Sequence, residues 1–328
     1  MSNQNVAELS RQILQLVFRE RKLVESEVSQ ADENHEYLSE DELYPHLDKI
    51  ERMVAKGEPI TMVLPAYPGK SPNRNKTLSK YPDLAEKHSI DMLHVLCDRI
   101  EKIYSPGVKV LICSDGYVFS DLVRIPDTDV HSYTEAIKEY YSSNYPTQFD
   151  FYDIKDAFPE IKCLDAMREE LMIRYGESLV SLTNRSQSEK ETRSMYQGIT
   201  KFLFEDFLGL VEFAGVSKTQ VQKAAKSTAL RVILRSNAWS KLLEVRYPEA
   251  LRLSIHPQFR ISQKIGIKLA NSADCWRTPW HSVAVLKKDQ IHLAHRNMVS
   301  ESSHRLMFSQ GAPSHYVMSW ENGAAAHV

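Results

Sequence analysis

The sequence predicts an α/β fold: a parallel sheet flanked by helices, with a helical N-terminal lead-in and a β-rich C-terminal portion. Three observations carry this. Two short runs of β-forming apolar residues, ITMVL from Ile60 and VKVLIC from Val108, are separated by one helix-length stripe. The residues before Glu58 carry apolar positions only at helical spacing, and those after Leu251 alternate polar with apolar. The predicted layout is a helical lead-in over residues 1–58, a main α/β domain over 59–300 and a tail over 301–328.

In order along the chain, Val6, Leu9, Ile13, Leu16 and Val17 make an amphipathic helix. Ser39 and Glu42 then form a capping box, Leu43, Leu47, Ile50 and Val54 a second stripe, and Gly57 a stop. His35 and His46 read as surface residues. ITMVL ends at Pro65 and opens into the loop AYPGKSPNRNK, which concentrates Lys70, Ser71, Asn73, Arg74 and Lys76. A loop of that composition at the carboxyl end of a buried strand is a candidate anion site, and a solvated basic loop is the alternative. It is not a P-loop: Leu64 stands where the first glycine belongs, and Pro72 follows Ser71 where a helix must open.

Ile90, Leu93, Cys97, Ile100 and Ile103 predict a helix that Ser105, Pro106 and Gly107 stop before VKVLIC. Strand, helix and strand at this spacing form a βαβ unit, so both strands should be parallel neighbours with their carboxyl ends on one edge. The Lys70 loop and Ser114, Asp115 and Gly116 then share that edge. Asp115 followed by Gly116 could be a plain turn; opposite a cationic loop, it is a candidate general acid or base.

TEAIKEYYSSNY reads as the end of a helix, QFDFYDI as a strand, and Arg185 to Phe207 as one long helix. Thr219 to Val245 is another, with Lys223, Arg231 and Arg235 on one face. In LRLSIHP, Arg252, Ser254 and His256 alternate with Leu251, Leu253 and Ile255, and KIGIKL repeats the pattern. Arg252, Ser254 and His256 line a polar pocket or face water on an edge strand. A loop carrying Trp276, Arg277, Trp280 and His281 leads to SVAVL and IHLAH, a hairpin joined by KKDQ. His292 and His295, three apart on a strand, point to opposite faces and cannot chelate a metal by themselves.

Composition excludes several classes. A net charge of −2 and a pI near 6.6 give no field for nucleic acid. No apolar run is long enough to span a bilayer and the N-terminus has no signal core, so a cytosolic protein is expected, with no membrane partner. Cys97, Cys113, Cys163 and Cys275 are scattered without a CxxC pair, which predicts buried, reduced thiols rather than disulfides or a metal site. No GxGxxG fingerprint and no GxSxG elbow occur, which argues against a dinucleotide cofactor and against a serine hydrolase.

Five blocks taken together, LPAYPGKSPNRNKTL, ICSDGYVFSDLV, LRSNAWSKL, LRLSIHP and TPWHSVAVL, resemble the isonitrile (isocyanide) synthases of the pyoverdine and dityrosine biosynthesis family. They extend from about residue 60 to 290, and no block of the lead-in takes part. The resemblance implies a Rossmann-like sheet and conversion of the α-amine of an aromatic L-amino acid to an isonitrile, with tyrosine the substrate of the nearest resemblance and tryptophan the alternative. The isonitrile carbon would come from C2 of D-ribulose 5-phosphate, with no cofactor and no metal. One departure is Tyr117 after SDG, where an arginine is common in the family. The chemistry then assigns Asp115, His256 and His281 to proton transfer and Lys70, Ser71, Asn73, Arg74 and Lys76 to the phosphate. Ser114, Arg235, Arg252 and Trp280 would hold the amino acid. A sugar-phosphate-binding module without catalysis is the alternative.

Overall fold

In the computed structural model, residues 3–28, 39–272 and 276–319 are described. His35 and Cys275 lie outside them.

Helix α1 (Asn3–Arg19) buries Val6, Ile13, Leu14 and Val17 against α2 (Glu40–Lys56). The Ser39 hydroxyl caps α2 by accepting from the Glu42 N–H, and Gly57 ends it at φ 70, a left-handed conformation that glycine adopts without strain. His46 corrects the sequence reading. It lies on the inward stripe of α2 at 2% exposure, edge-on to Phe18, and burial pushes its pKa down to about 4.

Strand β1 (Ile60–Leu64), helix α3 (Leu84–Glu101) and strand β2 (Val108–Cys113) form the expected βαβ unit, with Ile60 opposite Val108 and Leu64 opposite Ile112 in a parallel ladder. Asp83 and Glu86 close a capping box on α3. Next come α4 (Gly116–Val123), α5 (Asp127–Asn144), β3 (Phe149–Tyr152) and the short α6 (Ile154–Ala157). A helical layer follows: α7 (Leu164–Tyr175), α8 (Leu179–Ser188), α9 (Lys190–Leu208) and α10 (Lys218–Arg246). The single helix expected from Arg185 to Phe207 is broken at Glu189, whose φ of −99 and ψ of 129 are extended. Strands β4 (Leu251–Ser254) and β5 (Ile265–Gly266) complete a parallel sheet of order β3-β2-β1-β4-β5. KIGIKL thus contributes two strand residues.

The order places the topological switch between β1 and β4, and in open α/β sheets the ligand crevice opens there, at the carboxyl ends of the strands. One face of the sheet packs Met62, Leu64, Val110, Ile112 and Leu253 against α1, α2, α3 and α5. The other packs Val63 and Cys113 against α4, α7, α9 and α10.

A second sheet contains β6 (Val283–Lys287), β7 (Gln290–Ala294), β8 (His304–Ser309) and β9 (Ala312–Met318) in the order β7-β6-β9-β8. The expected β6–β7 hairpin turns at Lys288 and Asp289, both at positive φ. The expected tail is corrected. Residues 304–318 form a hairpin whose second strand pairs parallel with β6, and residues 320–328 lie outside the described part. This sheet rests on α3.

Cys97 and Cys113 are buried free thiols, as expected, but Cys163 is exposed just before α7. Among the described residues, no helix is long and apolar enough to cross a membrane.

Gly116 fixes the spacing between α4 and the Lys70 loop. A Cβ there would stand 2.2 Å from the Pro68 carbonyl oxygen and 2.8 Å from Val130. Gly116→Ala is therefore expected to cost about 1–3 kcal/mol in a denaturant titration, because the backbone of the loop must move. Wild-type stability in that variant would show that the two segments are not in contact.

Candidate active site

The carboxyl edge of the sheet is built from the loop after β1, the start of α4 after β2, the segment after β4 and the turn Pro279–His281. It carries Asp115 at the start of α4, His256 after β4 and His281 in the turn, with His256 near enough to His281 for its charge to bear on that ring.

Asp115 is the N-terminal cap residue of α4, yet its side chain makes no capping bond. One oxygen, Oδ1, is shut off from solvent without a partner among the described residues, while the residue as a whole keeps partial exposure. Burial with no cation at hand pushes its pKa up to about 7, into the range where a carboxylate can both take and return protons at neutral pH.

His281 sits 4.7 Å from the Phe202 ring, and its Nδ1 is 3.0 Å from the Thr278 hydroxyl, which leaves Nε2 for the crevice. Burial, and then the charges of Lys76, His295, Lys70 and His256, push its pKa well down, so the ring is neutral. His256, just past β4, keeps solvent exposure as a residue while its ring is crowded by its surroundings, 5.7 Å from the Trp276 ring. That crowding of the ring, with the nearby Lys22 and Lys264, pushes its pKa down to about 4.

The cationic loop is arranged differently from the expectation. Lys70 Nζ is buried between Asp83 Oδ2 at 2.9 Å and Glu86 Oε2 at 2.7 Å, with the Pro279 carbonyl at 3.3 Å. An ammonium has three donors, and these oxygens occupy them. Tyr133 adds a hydroxyl to Glu86 at 3.1 Å. Lys76 Nζ is paired with Asp206 at 2.7 Å and Glu205 at 3.1 Å. The Ser71 hydroxyl donates to the other Asp206 oxygen at 3.1 Å, and Asn73 donates to the Glu205 carbonyl at 3.0 Å. These four side chains clamp the loop to α3 and to the end of α9. Arg74 is the exception: it is exposed, its guanidinium donates to the Thr77 hydroxyl at 3.4 Å, and Asp129 is the nearby carboxylate acting on it.

The amino-acid-binding candidates divide as well. The buried Ser114 hydroxyl donates to the Tyr67 carbonyl at 3.0 Å, and Trp280, at 1% exposure, packs edge-on against Tyr67. Both shape the wall from behind. Arg235 reaches back from α10 to Asp121 and the Val118 carbonyl on α4. Arg252 is buried on β4, where Nη2 donates to the Ser240 carbonyl and hydroxyl, and Nε has no partner among the described residues.

Asp83, Glu86, Asp206 and Lys264 were missed by the sequence reading. Asp83 and Glu86 carry a capping-box signature, and Asp206 is an acid among the inward residues of an apolar helix. Neither signal names the cation it serves. Among the described residues, no cluster of three or more His, Cys, Asp or Glu is placed to hold a metal ion.

Residues 50–307 match the family model described as pyoverdine/dityrosine biosynthesis protein. The L-tyrosine isonitrile synthase of Pseudomonas aeruginosa is 41% identical over 82% of this chain and 83% of its own. The L-tryptophan isonitrile synthase AmbI2 of Fischerella ambigua is 37% identical over 94% of this chain and 91% of its own. The crystal structure of PvcA from Pseudomonas aeruginosa superposes with a TM-score of 0.87 at 38% identity, covering 94% of this chain and 99% of that one. With the Rossmann-like sheet, the crevice at its switch point and these likenesses in hand, the chain belongs to the pyoverdine/dityrosine biosynthesis family, the family of the isonitrile synthases.

Proposed function

We propose that this protein is an isonitrile synthase that converts the α-amine of L-tyrosine to an isonitrile with C2 of D-ribulose 5-phosphate. The observation that carries the reading is Asp115 at the carboxyl end of β2, whose Oδ1 is buried without a partner among the described residues and whose pKa is pushed up to about 7. The reaction is a series of proton transfers. A neutral amine attacks the ketone, the ketone oxygen leaves as water, and the imine then loses formaldehyde, phosphate and a three-carbon fragment. Asp115 suits removal of protons from carbons next to the imine. His281, neutral and anchored through Nδ1, suits transfer to and from the leaving oxygens. His256, whose charge bears on His281, is the second neutral imidazole. Of the loop's candidates, Arg74 is the cation left exposed to solvent; Lys70, Ser71, Asn73 and Lys76 position the walls.

L-tryptophan is the competing substrate, favoured by the likeness to AmbI2. Incubation with ribulose 5-phosphate labelled at C2 and each amino acid in turn is expected to give a labelled tyrosine isonitrile by mass spectrometry. Label in the tryptophan product alone would exchange the substrate. Label in neither would leave a sugar-phosphate-binding module.

A further inference from the structure

With Lys70 and Lys76 already paired, the crevice needs another cation for a phosphate dianion, and the sheet supplies one outside the loop. Leu253 is in parallel register with Ile265, which sets Lys264 beside Arg252 on the face covered by α10. Lys264 is half-buried, and its Nζ makes no hydrogen bond or ion pair among the described residues. Arg252 is anchored to Ser240 on α10 and leaves Nε buried without a partner. Its nearest carboxylate, Glu244, stands 3.7 Å from Nη1 and is largely exposed.

Two adjacent cations whose facing carboxylates, Glu244 and Glu191, are both solvent-exposed are a site for a doubly charged oxyanion, since a dianion removes the repulsion between them. The groups facing Lys264 are Arg252 on β4, Glu244 on α10, Glu191 on α9 and His256 after β4, and Lys22 faces His256 in turn. Burial and Arg252 together push the Lys264 pKa down to about 8, as expected for an ammonium awaiting an anion. His256 feels the charge of Lys264 and in turn bears on His281, which ties this pair to the proton-transfer candidates.

We propose that Lys264 and Arg252 form the subsite for the phosphate monoester of the ketose substrate. The inference rests on the function proposed above and assigns the phosphate to β4 and β5 instead of the loop after β1.

Calorimetric titration of the wild type and of Lys264→Met with ribulose 5-phosphate, inorganic phosphate and L-tyrosine tests it. Lys264→Met is expected to weaken both phosphates about tenfold or more and to leave tyrosine unchanged, while Lys264→Arg keeps most of the affinity. Wild-type affinity for phosphate should fall as pH rises through about 8, where the ammonium loses its proton, and this fall should be absent in Lys264→Met. A thermal melt separates these effects from misfolding. Unchanged ribulose 5-phosphate affinity in a folded Lys264→Met would overturn the subsite and leave the synthase reading intact. Selective loss of tyrosine binding would reassign the pair to the carboxylate and overturn it equally. A wild type that binds neither phosphate overturns the proposed function along with it.

Discussion

Asp115→Asn is expected to lower turnover by about 10²–10⁴-fold while both substrates still bind, because asparagine keeps the shape of the side chain but cannot act as a base. The same change should make the folded protein more stable at alkaline pH. Asp115 has its folded pKa raised from 3.8 to about 7, so its contribution is whole below the unfolded pKa and is lost as pH rises through about 7. Above that point the wild type must hold a carboxylate in a site that disfavours the charge, and the variant need not. The difference should be near zero at pH 4 and reach on the order of 2 kcal/mol at pH 8, allowing for the partly open side of the residue. Denaturant titrations at the two pH values, beside single-turnover assays, read both effects. Loss of turnover together with loss of stability at pH 8 would make Asp115 a structural turn residue.

The second large effect belongs to Lys70→Met. In the wild type the ammonium and the two carboxylates of Asp83 and Glu86 have fully buried side chains. Removing the cation leaves two buried negative charges, a change that typically costs about 3–5 kcal/mol. Burial already raises the Asp83 pKa with Lys70 present, and removing Lys70 raises it further. A raised folded pKa means a contribution recovered as pH falls, so the deficit should shrink between pH 8 and pH 5. Urea titrations across that range check the sign. A deficit below about 1 kcal/mol at pH 8 would mean that Lys70 is not tied into this triad and is free to meet a ligand.

Much of the architecture was legible because its signals are local. The apolar runs at Ile60 and Val108, the capping serine before Glu40 and the stop at Gly57 each act within a few residues. Of the candidate site, the position of Asp115 at the sheet edge was legible because the βαβ rule alone places it there. The loop was not. A lysine saturated by carboxylates and a lysine open to phosphate look the same in sequence, and the partners of Lys70 and Lys76 come from α3 and α9. Lys264 was hidden by register: its alternation in KIGIKL was visible, but its neighbour Arg252 follows only from the pairing of β4 with β5. The C-terminal hairpin went unseen because its strands alternate weakly and carry exposed residues such as Phe308.

The crevice lies between strands whose paired residues, Met62 and Leu251, stand at opposite ends of the helical layer in sequence. Contacts of such long sequence separation form late and slowly, since the intervening chain must be ordered or looped out first. On the ribosome, β1, α3 and β2 can associate as soon as they emerge, whereas β4 and β5 cannot join them until α10 has been made. The segment after α1 waits longer still, because Lys22 donates its backbone N–H to the Gly266 carbonyl at 2.7 Å. During that interval the apolar edge of β1 is unpaired and open to other chains, so the yield of folded protein is set by how long synthesis leaves that edge uncovered.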